Sequence, residues 1–290
     1  MQAQNIQWFP GHMAKTRRLI TENLKNADAV IEILDARIPY SSRNPEISRI
    51  CAGKPLLILL NKASLADPSV TSFWANEYTN STTLCIETDC ISGQGISKIS
   101  PALKELCAEK LERYEQKGMH GRPIKAMVVG IPNVGKSSLI NKLCGSKKAK
   151  VENRPGVTLD KQWVTTNIGI QLLDMPGVLW PKFEERIVGE NLAITGAIKD
   201  DILDIEEIAT ALCGKLRNMY PQLLMNRYKL DSIPSSEEVN DYELLTLIGR
   251  KRGFLISGGE VNTERTANML IDEYRAAKIG RISLDTAKTR

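Results

Sequence analysis

Residues 124–144 read IKAMVVGIPNVGKSSLINKLC, and this stretch constrains the fold more than any other. A short apolar run opens onto a loop with glycines at 130 and 135, and a helix-compatible segment follows at once. Strand, loop and helix in that order is the context that the spacing G-x-x-x-x-G-K-S needs in order to hold phosphate. The glycines let the backbone curl until its N–H groups point inward, and the positive end of the next helix adds to them. On this reading Asn133, Val134, Gly135 and Ser138 line the phosphates, Lys136 reaches the β- and γ-phosphates, and Ser137 binds Mg²⁺. One strand later DMPG sets Asp174 at a strand end facing the same ion, with Gly177 beside the γ-phosphate. Between the two motifs lies RPGVT, in a loop suited to a switch. There Thr158 can sense the γ-phosphate and complete the Mg²⁺ shell.

The rest of the chain agrees with a sheet around that loop. Residues 13–26 favour helix; Ala29–Leu34, PLLILLN, TTLCIET, IKAMVVG and IGIQLLD read as strands. Most of these strands are continuously apolar, which indicates a mainly parallel, doubly wound α/β sheet covered on both faces. Ile96 to Tyr114 reads as one long helix, and Lys117 to Pro123 as a linker. Beyond Pro181 only helical spacing appears, with Ile205, Ile208, Ala209 and Leu212 before Gly214, and Ala267, Leu270, Ile271 and Tyr274 before Gly280. The expected organisation is a nucleotide-binding domain over 1–179 and a small all-helical domain over 180–290.

Upstream of all this, LLNKAS ends an apolar strand in a turn able to read a guanine base. In the NKxD form of that turn, Asn and Lys brace the loop and Asp accepts two hydrogen bonds from guanine. Here the candidates are Asn61, Lys62 and Ser64, and after the next strand Thr88, Asp89 and Cys90 occupy a second base-contacting turn. Ras-like switches carry the phosphate loop first; this chain carries it last. The ends of a doubly wound domain lie close together, so joining them and cutting elsewhere preserves the core. The chain leaving DMPG then runs straight into the helical domain.

The order NKxD-like, GIPNVGKS, DMPG, preceded by WFPGHM and LDARIP, resembles the circularly permuted GTPases of ribosome assembly. It is most similar to the ribosome biogenesis GTPase A family, along nearly the whole chain, including RKRGFLISGGE and KIGRISL. The resemblance implies GTP and GDP as ligands, Mg²⁺, and a role in late maturation of the large (50S) ribosomal subunit. It also implies that the helical domain contacts ribosomal RNA, and it involves neither DNA nor membrane. Val178 stands where Ras-like switches keep a water-orienting Gln, and His12 matches the family's proposed catalytic histidine. An isolated histidine more often caps or packs a helix; His120, in the linker, is read that way. In related GTPases an Asn at the position of Asn133 coordinates K⁺ beside the β–γ bridge; its other role is to stabilise the loop. Hydrolysis is expected to be weak until the subunit orders the amino-terminal segment.

Ser64 departs from the family pattern. A hydroxyl cannot replace two charge-assisted acceptor bonds, and losing one such contact costs on the order of 1.5–3 kcal/mol. Asp67 lies close by, but its use would require a remodelled turn. The expectation is a GTP-binding protein with weakened guanine preference. The alternatives are an NTPase of relaxed base specificity, including an ATPase, and a non-hydrolysing, nucleotide-gated RNA-binding module.

Composition adds limits. Charged residues at 25% and apolar residues at 42% describe an ordinary globular protein. The two histidines and scattered cysteines argue against a zinc site and for free thiols. No signal peptide or spanning segment is visible, so a cytoplasmic location is expected. The net charge of +5 is concentrated at Lys142–Arg154 and Arg250–Arg252, compatible with a polyanion or with solvated helix faces.

Overall fold

The computed structural model describes residues 10–145, 163–180 and 183–287, the side chains of 10–13 excepted. Its frame is one six-stranded sheet: Ala29–Asp35 (β1), Leu56–Asn61 (β2), Thr83–Glu87 (β3), Ile124–Val129 (β4), Val164–Thr165 (β5) and Ile170–Asp174 (β6). The spatial order is β3-β2-β1-β4-β6-β5. All pairings are parallel except β5 with β6. The apolar strand runs follow from burial on both sides. Leu57 and Leu59 join one apolar cluster, whereas Ile58 and Leu60 join another around Trp74.

At the centre β1 lies against β4, Ile31 opposite Val128. From there β1 leads outward to β2 and β3, while β4 leads the other way to β6 and β5. The crevice at the carboxyl ends of β1 and β4 is therefore a topological switch point, where open α/β sheets bind ligands. This is a circularly permuted phosphate-loop domain, with its carboxyl-terminal half written first.

Helices Pro10–Leu24 (α1), Pro45–Ile50 (α2), Pro68–Tyr78 (α3), Ile99–Leu106 (α4), Ala108–Gln116 (α5) and Lys136–Cys144 (α6) surround the sheet. The segment expected as one helix from Ile96 to Tyr114 bends at buried Cys107. Ile99, Ala102 and Leu103 of α4 are buried, but α5 buries no residue. Instead α5 is drawn to Asp28 by Lys110 at 2.6 Å and by the Tyr114 hydroxyl at 2.9 Å.

Five helices follow the sheet: Arg186–Ile194 (α7), Ile205–Met219 (α8), Pro221–Tyr228 (α9), Asp241–Lys251 (α10) and Thr263–Arg275 (α11). Helix α8 lies among the others, with Ile208, Ala209, Leu212 and Leu216 buried. It does not stop at Gly214. That glycine admits α10, since a Cβ there would lie 2.4 Å from the Asp241 carboxylate. On α11 the buried residues include Ala267, Leu270, Ile271 and Tyr274. One contiguous apolar cluster runs from the sheet into these helices through Val178, Leu179 and Trp180. Among the described residues no helix is long and apolar enough to cross a membrane.

Candidate functional site

The loop between β4 and α6 is closed by local geometry. Gly135 has φ +104°, and a Cβ there would lie 2.3 Å from the Asn61 amide nitrogen, so only glycine lets the two turns meet. Val134 is buried; Ser137 and Ser138 are exposed in the first turn of α6. The Lys136 ammonium folds back onto its own loop, donating to the Gly130 and Ile131 carbonyls at 3.1 and 2.8 Å. Burial pushes it down to about 8, against the opposing charge of Asp174. Asn133 takes a left-handed conformation, φ 60°, and donates through Nδ2 to the Gly196 carbonyl just beyond α7, at 2.8 Å.

Asp174 closes β6, and the next N–H, of Met175, donates to the Val128 carbonyl on β4. Burial raises the Asp174 carboxyl although Lys136 opposes the shift. Its Oδ1 is buried with no hydrogen-bond partner. A buried carboxylate acceptor left open beside a lysine suits a hard cation that keeps part of its water. Gly177 passes so close to Lys136 that a Cβ would lie 2.4 Å from Nζ. Val178 is 6% exposed and packs in the core, so it presents no polar group to the cleft.

The amino-terminal half meets this loop through Asn61. Its Nδ2 donates to the Val134 carbonyl at 2.7 Å, while its Oδ1 accepts the Cys90 N–H at 3.1 Å. One carboxamide thus ties the phosphate loop, the 61–64 turn and the 88–90 turn together. Lys62, also left-handed at φ 61°, donates to Asp35 Oδ2 at 2.9 Å. The two turns share the Ala63 N–H to Thr88 carbonyl bond, at 3.1 Å. The Ser64 hydroxyl bonds the Asp89 carboxylate across 25 residues of sequence. Asp89 is 3% exposed, and its Oδ1 accepts the Ile91 and Ser92 N–H groups at 2.8 and 2.9 Å. Burial alone would raise this carboxyl; the Ser64 hydroxyl and the backbone donors outweigh it and lower it.

Asp35 and Arg37 of LDARIP were not singled out for a role by sequence reasoning. Arg37 grips the Asp35 carboxylate with two bonds, 2.9 and 2.7 Å, and reaches the Thr195 carbonyl at 3.4 Å. Burial disfavours the Asp35 charge, yet Arg37 and Lys62 hold it well below the usual carboxylate range. Two opposite charges, Asp35 and Arg37, at the end of an apolar strand were the available signal. The KIGRISL segment, expected within the helical domain, returns to the carboxyl ends of β1 and β2. Arg281 donates to the Ala63 and Ala66 carbonyls at 2.7 and 2.9 Å, and the Ile282 N–H to Leu65 at 3.1 Å. Asp67 caps α3 through the Ser69 and Val70 N–H groups and accepts the Tyr220 hydroxyl, so it is committed away from the cleft. The Arg250–Arg252 cluster is partly engaged internally, Arg252 pairing with Glu273 at 3.2 Å and lying over the Tyr228 ring.

Asn61 therefore joins the 61–64 turn, the 88–90 turn and the 133–138 loop, and Lys136 joins that loop to Asp174 and Gly177. Thr158 and the His12 side chain lie outside the described residues.

Comparison with known proteins yields a consistent set. Residues 125–219 match a family described as 50S ribosome-binding GTPase. The chain is 48% identical over 280 residues to ribosome biogenesis GTPase A of Bacillus licheniformis, covering 97% of this chain and 98% of that one. A GDP-bound YlqF structure aligns with TM-score 0.65 at 24% identity, over 93% of this chain and 100% of that one. A GNP-bound YlqF from T. maritima aligns at 0.61 and 24%, over 94% and 98%.

Proposed function

The chain belongs to the ribosome biogenesis GTPase A family, and from that premise we propose a GTP-hydrolysing factor that acts in assembly of the large ribosomal subunit. The observation that carries the reading is the Asn61 bridge to Val134, which joins a base-reading turn and a phosphate loop from opposite halves of the chain in one cleft.

In this reading the base lies against the 61–64 and 88–90 turns and the phosphates against the N–H groups of 133–138. Lys136 leaves its loop carbonyls for the β- and γ-phosphates, regaining with each phosphate oxygen the charge stabilisation that burial denies it. Ser137 and Asp174 would hold Mg²⁺, with Thr158 joining them when GTP is bound. The ion would supply charge neutralisation at the β- and γ-phosphate oxygens. Since Val178 is buried, the water must be oriented from another segment, and His12 is the proposed group. Asn133 would face K⁺ only after leaving the Gly196 carbonyl. The ribosomal subunit would order the amino-terminal segment over the phosphates, and the helical domain would contact its RNA.

Phosphate release from GTP, measured with and without large ribosomal subunits and in KCl against NaCl, tests this. Slow turnover alone, stimulation by subunits and loss in Lys136→Ala are expected. His12→Ala should lower kcat about 100-fold or more while leaving GDP affinity near its starting value. Equal turnover in the two salts would remove K⁺. Absence of turnover in every condition would remove the hydrolytic reading.

A further inference from the structure

We propose that guanine is read by a composite acceptor, the Ser64 hydroxyl together with the Asp89 carboxylate, so that the carboxylate expected at position 64 is supplied from the neighbouring turn. This deepens the GTPase reading and rests on it.

The argument begins with proton placement. An ionised carboxylate can only accept, so in the Ser64–Asp89 bond the hydroxyl must donate. With its one proton engaged, the Ser64 oxygen retains only acceptor capacity toward anything else. Ser64 is exposed, whereas Asp89 is almost fully buried. Asp89 Oδ1 accepts the Ile91 and Ser92 N–H groups and Oδ2 accepts the Ser64 hydroxyl, with the Ser64 N–H also acting on the carboxylate, so the base edge would meet Asp89 through Oδ2, the atom beside Ser64 Oγ. On this proposal the two oxygens, held at hydrogen-bond separation, meet one base edge together, much as the two oxygens of one carboxylate would.

Both are held rigidly. Asn61 fixes Cys90, the residue after Asp89. Arg281 holds the carbonyls of Ala63 and Ala66 on either side of Ser64. Gly95, φ +73°, lets the chain after Asp89 pass so near the Glu87 carbonyl that a Cβ would lie 2.1 Å from it. Preorganised acceptors of this kind lose little entropy on binding. The lowered Asp89 carboxyl is consistent with a charge retained at neutral pH.

The chemistry selects the base. Guanine presents two donors on this edge, N1–H and the 2-amino group, and an acceptor-only pair satisfies both. Xanthine replaces the amino group by a carbonyl, and adenine presents an unprotonated N1; each sets acceptor against acceptor. Ser64 is then part of an intact reader, in contrast to the weakened preference expected from the serine alone.

The test is titration of the full-length chain and of Asp89→Asn, Ser64→Ala and Ser64→Asp with GDP, xanthosine diphosphate and ADP. The wild type should prefer GDP. Asp89→Asn keeps an oxygen for Ile91 and Ser92 but brings an N–H to the base edge; GDP should weaken about 10- to 100-fold and the xanthosine analogue should gain relative to it. Ser64→Ala should weaken GDP by less, about 3- to 10-fold. Ser64→Asp should give no gain, because it sets a second carboxylate against Asp89. A GDP-to-xanthosine ratio unchanged by both Asp89→Asn and Ser64→Ala overturns the proposal, and so does a gain in GDP affinity from Ser64→Asp. A turn that is merely loosened would weaken both diphosphates alike and leave the ratio where it was, which counts against the proposal too. If the wild type binds no guanine nucleotide, the underlying GTPase reading fails instead.

Discussion

Removing the Asn61 carboxamide takes away a donor for the Val134 carbonyl and an acceptor for the Cys90 N–H, both in buried residues. Leaving either group unpaired costs about 1–3 kcal/mol, so Asn61→Ala should lower unfolding free energy by that order and weaken GDP at least tenfold. Urea denaturation and calorimetric titration read the two effects separately. A second single-residue expectation concerns Glu32, 2% exposed in the middle of β1 and 3.4 Å from Arg43. Burial pushes its carboxyl up to about 7, against the pull of Arg43. Because the folded state holds this proton more tightly than the unfolded chain, the stabilising contribution is complete below the ordinary value near 4.5 and is lost as pH rises through 7. The span is about 3 kcal/mol. Glu32→Gln should flatten the decline in denaturation midpoint between pH 5 and pH 8; an unchanged slope would place the titration elsewhere. Residue identities alone pointed to the Asn61 and Lys62 braces, because the strand and turn around them are local. They could not show that Ser64 and Asp89 share a bond, because that pairing depends on β2 and β3 lying side by side.

Among elements, the carboxyl-terminal tail does the most for the base-reading turn. The Leu284 N–H donates to the Arg37 carbonyl at 2.7 Å, and Ser41 donates to Asp285 through both its N–H and its hydroxyl. Asn191 of α7 reaches the same carboxylate at 2.8 Å. Arg281→Ala removes two charge-assisted bonds to the turn and should cost roughly 1.5–3 kcal/mol of stability while weakening GDP. An Arg281→Ala protein with normal GDP affinity would show that the turn keeps its shape unaided. The parallel strands were legible because burial on both faces leaves continuous apolar runs. The bend at Cys107 was not, because what divides α4 from α5 is the distant Asp28. Strand β5 has two residues, both exposed, and carries no pattern to detect. KIGRISL looks helical-domain by position, and its backbone bonds to residues 37 and 65, with the Arg281 side-chain bonds to the turn, reveal where it lies.

At the scale of the whole molecule, the sheet and the helices are bound as one body by three kinds of link. The apolar cluster is continuous from β4 and β6 to α8 and α11. Polar bridges cross the junction from Arg37 to the Thr195 carbonyl and from Asn133 to the Gly196 carbonyl. The tail then passes back, burying Asp285 between Ser41 and Asn191 and bringing its carbonyl to the Trp74 indole at 3.3 Å. Exposing either part alone would strand that apolar surface and leave the buried groups of Arg37, Thr195, Ser41, Asn191 and Asp285 unpaired. The expected consequence is a single cooperative transition, with indole fluorescence and far-ultraviolet circular dichroism changing at the same urea concentration. Saturating GDP should then raise both probes together, by about 2.7 kcal/mol at a hundredfold excess over Kd. If the helical signal were lost first and GDP protected only the fluorescence, the nucleotide cleft would be energetically separate from the helices. The direct run from DMPG into α7 could then not convey the state of the γ-phosphate to the rest of the chain.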